Sequence, residues 1–355
     1  MSQAGSRLHL LVVSTVSYMP QALTALRSAR HNGRYAGTFL FVADATPSSL
    51  ATIRDALVAE PGLRVFGPHE LTNGRDAFLR VFNYYNAFEV ANVAKYVGVS
   101  QVLSQLRDGD VCIYADADTF FISDLGNAIA EMGSRGILLT PHQFSPSDDG
   151  HEHEYLLNGW LNSGFSAFVR GDPGARLALD WLTDRVGKRG YLATQYGMSG
   201  DQPWLSACPY LFPDDCFVSH NAGLNVAYWN IGERHLERTG SAVLANGVPL
   251  LFLHFSGFKP EDRGKLSVHA EMEVGVGTVL SELCDLYRAE LAAAGADIAK
   301  IGQLEVIRSA QTSLTQRLLL GEIHNDINLA ATTAKSGPFT RIGRRIDFYL
   351  NKALN

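Results

Sequence analysis

The feature that most constrains this chain is an alternation, through its first 140 residues, of short apolar runs with stretches of helical periodicity. Residues 8–14 (LHLLVVS), 38–42 (TFLFV), 63–66 (LRVF) and 110–114 (DVCIY) read as strands. Most lack the polar alternation of a half-solvated strand, which predicts burial on both faces. Between them lie helical patterns: 20–30 opened by Pro20 with Leu23 and Leu26 on one face, 48–58, and 87–106 with Val90, Val93, Val97, Val102 and Leu106 along an apolar side. This order predicts an α/β fold, a mostly parallel sheet covered by helices, with ligands collecting at the carboxyl ends of the strands.

The 355 residues allow about two domains, or one large α/β domain with an extension. A hydrophobic fraction of 46% with 19% charged residues excludes a disordered chain. The net charge of -6 gives no global positive field to draw in nucleic acid. The four cysteines form no CxxC pair and are too sparse for a disulfide scaffold. No run of about 18 apolar residues occurs, and the run at 8–13 is too short for a secretory signal, so a cytoplasmic protein is expected. Beyond about residue 262 the pattern is helical, at 279–293 and 301–320.

The strand at 110–114 runs straight into Ala115-Asp116-Ala117-Asp118. Two carboxylates flanking one residue at a strand's end stand where a ligand would sit, and Mg²⁺ and Mn²⁺ take oxygen ligands. A cation there neutralises a diphosphate and makes it a better leaving group. A turn or helix cap uses the same residues, so the tripeptide does not decide alone. Three further segments weigh with it: 160–168 (WLNSGFSAF), 200–205 (GDQPWL) and 251–260 (LFLHFSGFKP), with 225–230 (NVAYWN) between the last two. His254 by itself reads as a core histidine. The Ser-Gly-Phe-Lys-Pro after it tips the reading toward a ligand, because a Gly-containing turn brings backbone N–H groups and Lys259 to phosphate. Asp201 is also suited to N-cap the helix that follows, Asn162 to cap a strand-end turn, and Lys95 to be solvated. Tyr228 and Trp229 read as packing.

Taken in order, Asp-x-Asp, Asn-Ser-Gly, Asp-Gln, Trp-Asn and His-x-x-Gly-x-Lys-Pro resemble the family 8 glycosyltransferases of the GT-A fold. The chain is most similar to bacterial surface-polysaccharide members such as lipopolysaccharide galactosyltransferases. The likeness runs from about residue 8 to 260. It implies a Rossmann-like, mixed, mostly parallel sheet flanked by helices in a nucleotide-sugar-binding catalytic domain at 1–262; it does not cover the last 90 or so residues, where the helical pattern gives an extension at 263–355. It also implies a metal-dependent transfer of a hexose from a nucleotide-diphosphate sugar, a UDP-sugar, to a hydroxyl of a glycan or lipid-linked acceptor, with retention.

Residue by residue, the resemblance gives Asp116 to the donor sugar or ribose, and Asp116, Asp118 and His254 to Mn²⁺ (or Mg²⁺). Lys259 becomes a charge on the diphosphate, with Gly257 in its turn. Asn162 hydrogen-bonds the transferred sugar, and Lys95 reaches the sugar or phosphates. Asp201 binds sugar hydroxyls, and Gln202 lies near the anomeric carbon. Thr15, Ser17 and Tyr18 become base-pocket residues, although members often carry acidic or amide groups there. Pro203 stands where Asp is usual. Gln202 is a poor nucleophile, so a same-face substitution and a covalent route both stay open.

The rivals are a haloacid-dehalogenase-type phosphatase and a sugar-nucleotide-binding protein without turnover. The first wants Thr where Phe120 stands, and its later acidic pair would be Asp214-Asp215; the second sits poorly with intact Asp116, Asp118, His254 and Lys259. A sugar-nucleotide pyrophosphorylase needs a Gly-rich loop after the first strand, and 14–21 has no Gly. The polar stretch 141–158, with Asp148, Asp149, His151, Glu152, His153 and Glu154, reads as a loop forming an acceptor-side lid. At 340–352, Arg341, Arg344, Arg345 and Lys352 lie beside Ile342, Ile346, Tyr349 and Leu350 at helical spacing. A packed terminal helix is the first reading, and peripheral contact with an anionic inner membrane the second.

Overall fold

The structure, a computed structural model, describes residues 6–146 and 152–332. Along the first half run β1 (Leu8–Ser14), β2 (Gly37–Val42), β3 (Leu63–Phe66), β4 (Val111–Asp116), β5 (Thr119–Phe121), β6 (Ile137–Pro141) and β7 (Leu161–Val169). All but β5 join the main sheet, in the order Cys216–Val218, β6, β7, β4, β1, β2, β3. Only β7 runs antiparallel to its neighbours β4 and β6; the other pairings are parallel. This is the mixed, mostly parallel α/β architecture expected of the sequence. The strands read as unbroken apolar runs because helices cover both faces.

One face buries Leu10, Val12, Leu40, Val42, Ile113 and Ala115 beneath α1 (Met19–Asn32) and α2 (Pro47–Ala56). The other buries Leu11, Val13, Phe39, Phe41, Cys112 and Tyr114 beneath α3 (Arg75–Val81) and α4 (Ala87–Leu103). Pro47 opens α2, with Thr46 Oγ1 accepting from Ser49 N. A reciprocal Asn86–Glu89 capping box starts α4. The chain continues through α5 (Gly126–Ala130), α6 (Glu152–Asn158), α7 (Pro173–Arg189) and α8 (Gln202–Leu211) to α9 (Val279–Ala299) and α10 (Leu314–Thr332). Helix α9 lies along α1, where Arg27 bridges Glu60 (2.7 Å) and Asp297 (2.8 Å).

Two local expectations are corrected. Residues 152–158 are helical rather than loop. The helix expected at 301–320 starts only at Leu314. Residues 301–313 instead form a strap whose polar groups bond to the body: Ile307 N to Asp44 O (2.7 Å), Ala310 N to Tyr85 O (2.9 Å) and Ser49 Oγ to Glu305 O (2.6 Å). Those bonds replace the i→i−4 ladder a helix would need. The basic stretch at 340–352 and Asp148, Asp149 and His151 lie outside the described residues.

Candidate active site

Strand β4 delivers Asp116 at its C-terminal end, and the chain turns through Asp118 into β5. Strand β5 pairs antiparallel with Phe252–His254, in a register that sets Thr119 opposite His254. Phe255 N donates to Asp118 O (2.8 Å), and His254 N to Val226 O (2.8 Å). This pairing brings residues far apart in sequence together: His254 Nε2 stands 3.1 Å from Asp118 Oδ1 and 3.7 Å from Asp116 Oδ2.

Because β7 runs against β4, its first residues lie at the edge where β4 ends. Its pairing with β6 shifts register, so that Leu139 faces Ser166 but Thr140 faces Asn162. Such bulges re-aim side chains, and here the irregularity exposes Asn162 and Ser163 to the cleft. The Gly of Asn-Ser-Gly follows from the same geometry. A Cβ on Gly164 would lie 2.2 Å from His254 Cε1, so the imidazole occupies the space a side chain would need.

A second charged group adjoins the first. Lys95, on the inner face of α4, is buried; its Nζ donates to Ser163 Oγ (2.9 Å) and lies 3.4 Å from both Asp116 Oδ1 and Asp201 Oδ2. Asp201 accepts from Ser163 Oγ (3.0 Å) and Tyr96 OH (3.0 Å), while Tyr114 OH donates to Asp116. Asp201 therefore turns into the site and does not cap α8 with its side chain; Pro203 sits in the first turn instead. Burial works against the charge on Lys95, but Asp116 and Asp201 outweigh it and hold its pKa above the ordinary value. For His254 burial likewise opposes charge, and Asp118 with Asp116 reverses the sign, leaving the pKa raised.

These groups line a cleft of about 1450 Å³. Its wall contains every residue to which the resemblance gives a donor, metal or catalytic role: Thr15, Ser17, Tyr18, Lys95, Asp116, Asp118, Asn162, Asp201, Gln202, His254, Gly257 and Lys259. Thr15 Oγ1 and Ser17 Oγ are 3.0 Å apart beyond β1, and Lys259 is an exposed cation at the rim. Gly257 has φ +70 in the turn closed by Phe258 N to Phe255 O (3.0 Å). Gln202 is fixed: its Oε1 accepts from Asn162 Nδ2 (3.1 Å) and Ser163 N (3.2 Å), and its Nε2 donates to Asn158 O (3.3 Å). Asp214-Asp215 does not join. It precedes Cys216–Val218, which runs parallel to β6, and so lies at the opposite edge of the sheet.

Several participants were not read from the sequence. Ser163, Tyr96 and Tyr114 orient the carboxylates. His142, just past β6, accepts at Nε2 from Asn162 Nδ2 (3.3 Å) and stacks on Tyr155 at 4.9 Å. Burial pushes its pKa down to about 4 and keeps the ring neutral. Trp229 packs edge-on against both His142 (5.5 Å) and His254 (5.1 Å).

The donor set fits a divalent cation. One atom each from Asp116, Asp118 and His254 lies within 4.8 Å of the others. His254 Nδ1 is engaged by Asn225 Oδ1 (3.0 Å), so Nδ1 carries a proton and Nε2, which faces the carboxylates, is the nitrogen that a cation would take in place of its proton. Asp116, Asp118 and Asp201 together carry more negative charge than Lys95 balances, and a dication would offset that surplus. Mixed carboxylate and imidazole ligation suits Mn²⁺.

No family model matches the chain. The uncharacterized Bacillus subtilis (strain 168) protein YfnF is 31% identical over 169 residues, 46% of this chain and 55% of YfnF. YfnD from the same organism is 28% identical over 158 residues, 44% of this chain and 50% of YfnD. The chain thus spans about half the length of the curated relatives it matches. Among solved structures, the glycosyltransferase GlyE of Streptococcus pneumoniae TIGR4 aligns at 17% identity and a TM-score of 0.47, over 86% of this chain and 66% of GlyE. The galactosyltransferase LgtC, solved with donor and acceptor sugar analogs, aligns at 12% identity and a TM-score of 0.48, over 79% of this chain and 95% of LgtC.

Proposed function

We propose that the chain is a metal-dependent glycosyltransferase of the GT-A, family 8-like kind. It moves a hexose from a nucleotide-diphosphate sugar, a UDP-sugar in this reading, to a hydroxyl of a glycan or lipid-linked acceptor, with retention. The observation that carries the reading is the meeting of Asp116, Asp118 and His254 in one cleft with Lys259, Asn162 and Gln202.

Bound Mn²⁺ would supply charge neutralisation of the diphosphate. The chain's own groups do the rest. Thr15, Ser17 and Tyr18 border the base and ribose end. Lys259, with the Gly257 turn, adds a cation where negative charge grows on the leaving group. Asn162 and Lys95 hold the transferred sugar, and Asp201 keeps Lys95 and Ser163 in place while offering its remaining lone pairs to hydroxyls. Gln202, held by three hydrogen bonds, presents a fixed amide beside the anomeric centre, whose oxocarbenium character an oriented dipole favours. Glu154, Tyr155 and Asn158 of α6 form the acceptor-side wall.

The test is incubation with Mn²⁺ and a panel of sugar nucleotides, scored by nucleoside diphosphate release, with NMR of the product's anomeric proton. Release with one donor and a retained configuration is expected. Tight donor binding without release would favour a sugar-nucleotide-binding protein, and an inverted product would remove the family 8 assignment.

A further inference from the structure

Asn225 had no role in the sequence reading, yet its amide joins the two halves of the site. It is completely buried, and its φ of +53 places it in the left-handed region, which Asn tolerates better than most residues. Asn230 pins that turn, with Nδ2 donating to Asn225 O (3.0 Å) and to His142 O (3.0 Å). The Asn225 side chain is then held across the gap between His254 and Asn162. Its Oδ1 accepts from His254 Nδ1, and its Nδ2 donates to Asn162 Oδ1 (2.9 Å) and Thr140 Oγ1 (3.1 Å).

The direction of this chain of bonds follows from a group that has no choice. The backbone N–H of Gly164 donates to Asn162 Oδ1 (2.9 Å), so that oxygen is an acceptor. Asn225 must therefore offer it Nδ2, which turns Oδ1 toward His254. His254 must in turn carry a proton on Nδ1, which leaves Nε2, facing Asp118 and Asp116, as its cation-ligating nitrogen. At the other end Asn162 is left with Nδ2 to donate to Gln202 Oε1, an oxygen also held by Ser163 N–H. Two backbone amides of the β7 bulge thus set both the tautomer of the cation ligand and the facing of the amide beside the sugar.

Building on the glycosyltransferase reading, we propose that Asn225 is a positioning residue that couples the cation-binding half of the site to the sugar-binding half. Its Oδ1 end sets cation affinity through His254, and its Nδ2 end sets turnover through Asn162 and Gln202.

Two variants separate the ends. Asn225→Gly removes the bonds to His254, Asn162 and Thr140 while suiting the positive φ, so backbone strain does not confound it. Asn225→Asp keeps an acceptor for His254 but presents an oxygen to Asn162. Mn²⁺ affinity is read by electron paramagnetic resonance of the free ion, without substrate, and kcat and KM by nucleoside diphosphate release. Asn225→Gly is expected to bind Mn²⁺ about 10- to 100-fold more weakly, the usual effect of losing a partner of a ligating histidine. Asn225→Asp is expected to stay within about threefold of the parent for Mn²⁺ while kcat falls about tenfold or more. Parent-like Mn²⁺ affinity in Asn225→Gly, or an equal loss in both variants, overturns the coupling. A parent protein that binds no Mn²⁺ overturns the glycosyltransferase reading itself, and the coupling falls with it.

Discussion

Strand β4 is bracketed by carboxylates whose partners differ in kind. Just before it, Asp110 accepts from Arg7 Nε (3.1 Å), Arg7 Nη2 (2.6 Å) and the backbone N–H groups of Arg7 (3.3 Å) and Arg107 (3.2 Å). At its end, Asp116 and Asp118 share the cleft with Asp201, against one lysine and one histidine. The first carboxylate has its full complement of donors and closes a junction between β1, β4 and the turn before β4. The others are grouped with too little positive charge, around a cavity. The residue type is the same at both ends. Whether local donors satisfy the charge separates a structural carboxylate from one available to a ligand.

The largest effect should come from removing charge where it is in surplus. Asp118→Asn is expected to cut Mn²⁺-dependent nucleoside diphosphate release by more than about 100-fold, since it strips a proposed ligand rather than a partner of one. The same substitution removes a carboxylate whose pKa, despite burial, is lowered by its pairing with His254 (3.1 Å), so the metal-free protein should also melt somewhat below the parent. A variant that keeps a third of the activity would place the cation elsewhere.

Lys95→Met should sharpen the contrast through stability. It leaves buried Asp201 and half-buried Asp116 without their shared cation, and breaking a buried pair costs about 3–5 kcal/mol, less where one partner is partly solvated. Added Mn²⁺ supplies positive charge to the same cluster and stabilises the folded form by mass action. Differential scanning fluorimetry should therefore show a lower melting temperature than the parent, and a larger rise with Mn²⁺. An equal Mn²⁺ increment in both proteins would mean that Lys95 and the cation do not answer to the same carboxylates.

The contrast between the two ends of β4 also marks where sequence reading ran out. Strand β1 was legible to the residue because a strand buried on both faces writes its limits as an apolar run. The Asp-x-Asp was legible because both carboxylates are local to one strand end. The strap at 301–313 was not, because its bonds go to Asp44, Ser49 and Tyr85, and no local pattern records a distant acceptor. The same reason hid Ser163, His142 and Asn225. Their roles arise from the register shift between β6 and β7 and from the pairing of β5 with Phe252–His254, each linking segments far apart in the chain. Gly164 could be seen as a motif glycine, but the imidazole that forbids a side chain there comes from 90 positions away.

The smallest effect, and the control for the others, lies at Asp110. Hydrogen bonds from Arg7 hold its pKa down to about 2, and further bonds from the Arg107 and Arg7 backbone amides outweigh the opposing effect of burial. The folded pKa lies below the unfolded value, so the stabilisation is present above the unfolded carboxylate range, near pH 4, and is lost as pH falls through about 2. Exposure of Arg7 lets solvent screen the pair, which keeps the contribution small. Asp110→Asn should therefore melt a few degrees below the parent at neutral pH, with the two curves converging toward pH 2, while nucleoside diphosphate release is unchanged. Loss of turnover in this variant would mean that the junction before β4 also positions Asp116, and the two ends of the strand would no longer be separable.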